Sequence, residues 1–133
     1  MTSKVTYLGD LRTSSIHLQS GSEIISDAPL DNNGKGEAFS PTDTVANALA
    51  SCMMTVMGIK ARDLSVDLTG AVASVNKVMN ADPRRIGLIE ISFDMNVVVE
   101  QKHKAILEKT AMTCPVFLSL SAEIDKKITF NWK

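Results

Sequence analysis

Two cysteines, Cys52 and Cys114, are the residues of this chain best suited to chemistry. A thiolate is a nucleophile, and two thiols that meet can pass between dithiol and disulfide. These two are far apart in sequence, so only the fold can bring them together. Cys52 lies in the middle of the apolar stretch SPTDTVANALASCMMTVMGIKARD. A buried cysteine usually acts as a small hydrophobe, and burial raises its pKa. Cys52 can react only if an arginine or similar cation sits beside it. Cys114 precedes Pro115 at the start of an expected helical turn. At an N-cap the free N–H groups and the helix dipole favour a thiolate, so on that ground Cys114 is expected to be the more acidic thiol. A core cysteine beneath a proline turn is the equal alternative.

Other chemistries find less support. His17, His103, Cys52 and Cys114 are potential metal ligands, but none are closely spaced. There is no C-x-x-C and no H-x-x-x-H, so no metal site is expected. His103 falls on the polar side of an amphipathic helix, where solvation explains it. His17 sits in a strand and either face is open to it. Gly34-Lys35-Gly36 lacks the spacing of a phosphate loop and reads as a turn-rich loop. Met53, Met54 and Met57 are core filler or, beside a thiol, the lining of an adaptable apolar pocket. No Ser-His-Asp or paired-carboxylate arrangement is readable in the linear order.

Around the thiols the chain must build positioning elements. Ser40–Asp63 reads as a long helix: Ser40 caps it, Pro41 fits the first turn and Asp43 completes a capping-box-like pattern. Lys60 and Arg62 suit the dipole in the last turn. Val45, Leu49, Cys52, Met53, Val56 and Ile59 make one apolar stripe. Ala46, Ala50, Met54, Met57 and Ala61 fill the other side. A helix apolar all round is a buried helix. Its uncharged run is short for a bilayer, so it is expected to be the central core helix of a soluble domain.

Before it, Lys4–Gly9, Leu11–Leu18 and Glu23–Asp27 read as an antiparallel meander turning at Gly9-Asp10 and Ser20-Gly21. The loop Ala28–Phe39 follows. After the helix come strands over Val66–Met79 and Ile86–Val99, separated by the turn Asn80–Pro83. An amphipathic helix over Glu100–Thr113, the Cys114-Pro115 turn and a final strand over Ile128–Trp132 complete the order. This is an α+β domain with helices on one face of an antiparallel sheet. One sheet covers only one side of the central helix, so the other side is expected to pack on a second copy, as a homodimer. Packing of the chain's own second helix is the alternative.

Composition narrows the function further. A chain of 133 residues suits a single domain, 1–133, with a core that needs no disulfide or metal staple. The net charge of −1, with both signs interspersed, gives no case for a nucleic-acid or membrane partner. Met1-Thr2-Ser3-Lys4 leads straight into a strand-like run without a signal peptide, so a cytoplasmic location is the expectation.

The helix SPTDTVANALASCMMTVMGI, with the later thiol in TCPV, resembles the OsmC/Ohr family of osmotically inducible and organic hydroperoxide resistance proteins. The likeness runs over nearly the whole chain, element by element. The resemblance implies an OsmC-like fold, an intertwined homodimer with both active sites at the interface, and cofactor-free, thiol-dependent reduction of organic hydroperoxides. It implies that Cys52 is the peroxidatic thiol, that Cys114 resolves its sulfenic acid as a disulfide, and that an external dithiol restores both. The family activates its first cysteine with an arginine from an early strand or loop, and Arg12 is the positional match. One position departs from the pattern. Better-characterised members carry a glutamate directly after the helix-opening proline, orienting the arginine, where this chain has Thr42 followed by Asp43. Asp43 is the possible replacement, although one residue turns a helical side chain by about 100°.

The leading expectation is therefore a hydroperoxide reductase with a preference for apolar peroxides. A small-molecule binding protein on the same scaffold, its peroxidase arrangement degraded, is the alternative that Thr42 favours. A structural dimerisation domain with both cysteines in the core is the third reading.

Overall fold

The structure, a computed structural model, describes residues 1–133. Its contacts group into two compact units, Met1–Val45 and Ala46–Lys133.

The first unit is the expected meander. β1 (Ser3–Gly9), β2 (Arg12–His17) and β3 (Glu23–Asp27) form an antiparallel sheet in that order. Gly9, Asp10 and Leu11 all take positive φ, which makes the tight β1–β2 turn. The second hairpin sets Ile16 opposite Glu23 and Arg12 opposite Asp27. The loop to the helix contains a short 3₁₀ turn, Leu30–Asn32.

Helix α1 (Pro41–Asp63) opens in this unit with the reciprocal cap that its sequence announces. The Asp43 N–H donates to Ser40 Oγ and the Ser40 N–H donates to Asp43 Oδ2, each at 3.0 Å. Two backbone N–H donors at the helix start are satisfied at once.

In the second unit α1 covers a sheet made of β4 (Val72–Asn80), β5 (Arg85–Met95) and β6 (Asp125–Trp132). α2 (Gln101–Ala111) and α3 (Pro115–Ser119) link β5 to β6. The core joins Ala46, Leu49, Ala50, Met53 and Met57 of α1 to Ile89, Ile91, Phe93 and Met95 of β5, with Ala111 and Cys114. Phe93 stacks on Phe130 with ring centroids 5.1 Å apart. α1 is long and apolar enough to cross a membrane by length and composition alone, a test that the core helix of a soluble protein also passes. What it covers here is β5.

Several details differ from the sequence reading. There are two three-stranded sheets, and β6 runs parallel to β5. A parallel neighbour needs a long crossover, which α2 and α3 provide. β4 begins at Val72, not Val66, because the chain first turns at Thr69–Gly70. The Thr69 N–H donates to Asp67 Oδ1 at 2.9 Å, and Gly70 takes a positive φ. β5 stops at Met95, where the Val97 N–H turns back to the Met95 carbonyl at 2.8 Å. The buried side of α1 is Ala46, Leu49, Ala50, Met53, Met57 and Ala61, while Val45 and Ile59 are exposed. Apolarity on nearly every face had left the helix's rotation open.

Candidate active site

Cys52 is carried by the middle of α1 and is half-buried. Cys114 is buried and caps α3. Its Sγ accepts the Phe117 N–H at 3.2 Å, which a cysteine before Pro at the first helical position can do. Both are free thiols, and the fold brings their side chains close enough to influence each other.

The Cys114 thiol is pushed above its ordinary range. Burial is the main cause, since charge is costly away from water. The Phe117 N–H works the other way, and contact with Cys52 pushes upward again. Two negative charges side by side disfavour each other, which adds to the effect of burial on Cys114. The N-cap argument for an acidic Cys114 is thus half right. The cap exists, but the Phe117 and Val116 N–H groups of a short helix do not outweigh desolvation.

The methionine cluster divides. Met53 and Met57 are fully buried core residues. Met54 alone faces outward, lining two surface cavities along α1, with Thr55, Gly58 and Ile59 in one and Asn47, Ser51 and Val75 in the other. The histidines sit in local polar contacts: His17 Nδ1 with Ser20 Oγ at 2.6 Å, and His103 Nε2 with Glu100 at 3.1 Å.

Arg12, in the first unit, is held by two carboxylates that the linear reading missed. Its Nε donates to Asp27 Oδ1 at 2.7 Å and its Nη2 to Asp27 Oδ2 at 2.9 Å. This is the two-pronged arginine–carboxylate geometry, stronger than a single ion pair. Nη2 also donates to Glu37 at 3.0 Å. Asp27 is 1% exposed and Arg12 33%. The bonds from Arg12 hold the Asp27 carboxyl below the usual carboxylate range against the opposing effect of burial. Asp27 in turn raises the pKa of Arg12, which stays charged at any accessible pH. The signal for Asp27 lay in strand register: once the β2–β3 hairpin is drawn, Arg12 and Asp27 are cross-strand partners. Glu37 gave no such signal, because a loop carries no periodicity.

Asp43 and Thr42 sit at the opening of α1. Asp43 is engaged in the capping box, and Thr42 Oγ1 lies 3.2 Å from Ser40 Oγ. The carboxylates found on Arg12 are Asp27 and Glu37.

Comparison with known proteins agrees with this fold. The sequence pattern of the family described as OsmC-like protein matches residues 34–129. A crystal structure from Psychrobacter arcticus, named provisionally for an osmotic-stress-induced and detoxification response, is 56% identical with a TM-score of 0.96. That match covers 98% of this chain and 96% of the other. An organic hydroperoxide resistance protein of Legionella pneumophila superposes with a TM-score of 0.76 at 15% identity, covering 98% and 97%. One from Bacillus subtilis does so with a TM-score of 0.71 at 15% identity, covering 98% of each chain. No curated protein matches the chain. With the family pattern spanning most of its length, the chain belongs to the OsmC family, which includes proteins of organic hydroperoxide resistance.

Proposed function

We propose that the chain is a cytosolic, homodimeric thiol peroxidase that reduces organic hydroperoxides. The observation that supports it is the meeting of Cys52 and Cys114. In this reading the Cys52 thiolate attacks the terminal oxygen of the hydroperoxide. The O–O bond breaks, the alkoxide takes a proton and leaves as an alcohol, and Cys52 becomes a sulfenic acid. Cys114 then attacks the sulfenic sulfur. A disulfide forms and hydroxide leaves as water, taking the proton that Cys114 had retained. An external dithiol returns both cysteines to the reduced state by exchange. Arg12 supplies the positive charge that favours the Cys52 thiolate, the role its resemblance to family arginines gives it.

Peroxide consumption by single variants tests this. Cys52→Ser abolishes turnover, and Cys114→Ser permits one turnover and then stalls. Full turnover by the Cys52 variant overturns the proposal. The second reading, a binding protein without peroxidase activity, is favoured by Thr42 at the family's glutamate position. It predicts a Cys52 thiol with no enhanced reactivity at any pH below about 8.5, the free value.

Dimerisation rests on the apolar side of α1 that its own chain leaves open, where Ile59 is 60% exposed. Light scattering of the purified protein is expected to give twice the chain mass. A stable monomer removes that part of the proposal.

A further inference from the structure

Residues 28–37 contain the Gly-Lys-Gly sequence that no phosphate chemistry explains. We infer that this loop brings Glu37 to Arg12, so that Asp27 and Glu37 act together as positioning residues for the arginine. The inference rests on the peroxidase reading above, in which Arg12 serves Cys52.

Asp27 is the fixed half of the arrangement. It lies opposite Arg12 in the β2–β3 ladder, its main chain is tied by the Asp27 N–H to the Phe39 carbonyl at 3.1 Å, and both its oxygens are engaged. Glu37 is the half the loop supplies. Its main-chain N–H donates to Asp27 Oδ2 at 3.2 Å, while its carboxylate accepts from Arg12 Nη2 at 3.0 Å. One residue therefore grips both members of the ion pair, with backbone on the acid and side chain on the base.

The loop's glycines make that grip possible. The Gly34 N–H donates to the Pro29 carbonyl at 2.9 Å, and the Gly36 N–H to the Ala28 carbonyl at 3.2 Å. A Cβ on Gly34 would stand 1.7 Å from the Ala28 carbonyl oxygen, where no atom fits. Gly36 takes φ +61°, and a Cβ there would lie 2.9 Å from Leu30 Cγ. Both glycines answer to loop closure, which delivers position 37 beside position 27. Lys35 between them adds a positive charge that favours ionised Asp27.

Two carboxylates have a second effect, which runs the other way. They place negative charge near the guanidinium, and negative charge alone disfavours a thiolate. Positioning and charge therefore predict opposite signs when a carboxylate becomes an amide of the same shape. The experiment is alkylation of Cys52 against pH in the Cys114→Ser background, comparing Asp27→Asn, Glu37→Gln, Gly34→Ala and Arg12→Met. Circular dichroism confirms that each variant is folded.

If the two acids position Arg12, Asp27→Asn moves the labelling midpoint of Cys52 up by about one pH unit, roughly tenfold less thiolate below it. Glu37→Gln moves it the same way by less, because Glu37 is exposed and screened. Gly34→Ala removes no charge and also moves it up. A midpoint that stays or falls in both amide variants overturns the inference, and Glu37→Gln decides alone if Asp27→Asn is unfolded. If Arg12→Met shifts the midpoint and neither amide does, the positioning role is wrong and the peroxidase reading stands. If Arg12→Met leaves the midpoint in place, the role of Arg12 itself is wrong.

Discussion

Arg12 and Cys114 are held by opposite means. Arg12 sits in a network of ionised groups whose geometry comes from strand register and a tightly closed loop. Cys114 sits in an apolar core, with the Phe117 and Val116 N–H groups as its charged-state support and desolvation working against it. The first environment fixes a charge in place. The second suppresses one. A permanent cation and a thiol with a raised pKa cannot be built from the same surroundings, and this chain holds them in separate compact units.

The sharpest way to break that contrast is to damage the core alone. Phe93 is fully buried and stacked on Phe130. Phe93→Ala is expected to cost about 3–5 kcal/mol in denaturant unfolding. It is also expected to bring Cys114 labelling forward, since burial is what withholds that thiol. Unchanged labelling in a measurably destabilised variant shows that local contacts, not core packing, protect it.

Next in size is the pH response of the two regions. Asp27 has a depressed pKa in the fold, so its ion pair contributes stability that is complete above the ordinary carboxylate pKa. That contribution is lost as pH falls through the lower folded value. Thermal stability should therefore fall on acidification below about pH 4, and Asp27→Asn should flatten that limb. An acid limb identical in the two proteins assigns it to other carboxylates. Cys114 responds at the other end. Measured in Cys52→Ser, its alkylation should remain slow through neutrality and rise only above about pH 8.5, the free thiol value. A midpoint below that value contradicts suppression by burial.

The smallest effect concerns the element that spans both units. Ser40→Ala removes one half of the reciprocal cap on α1 and should cost about 1 kcal/mol. A neutral result indicates that tertiary packing alone fixes where the helix starts.

Much of this was legible in the residues. The S-P-T-D opening announces the cap of α1, and alternation over Ile89–Met95 marks the buried face of β5. The Cys114-Pro115 pair marks the start of α3. What escaped the linear reading was long-range. The parallel pairing of β6 depends on how a crossover returns, which no local pattern encodes. The rotation of α1 was hidden because apolar residues occupy nearly all its faces. The fate of Cys114 turned on magnitude: dipole and desolvation were both foreseeable, but only the packed core decides which is larger. Asp27 was within reach from hairpin register, whereas Glu37 required the loop itself.

The parallel pairing of β6 with β5 carries one more consequence. Cys114 lies in the crossover between those strands, so its approach to Cys52 is expected later in folding than the local β4–β5 hairpin. Disulfide competence is then an internal gauge of maturity. A refolding chain sampled with a mild oxidant is expected to cross-link only after β6 has paired with β5.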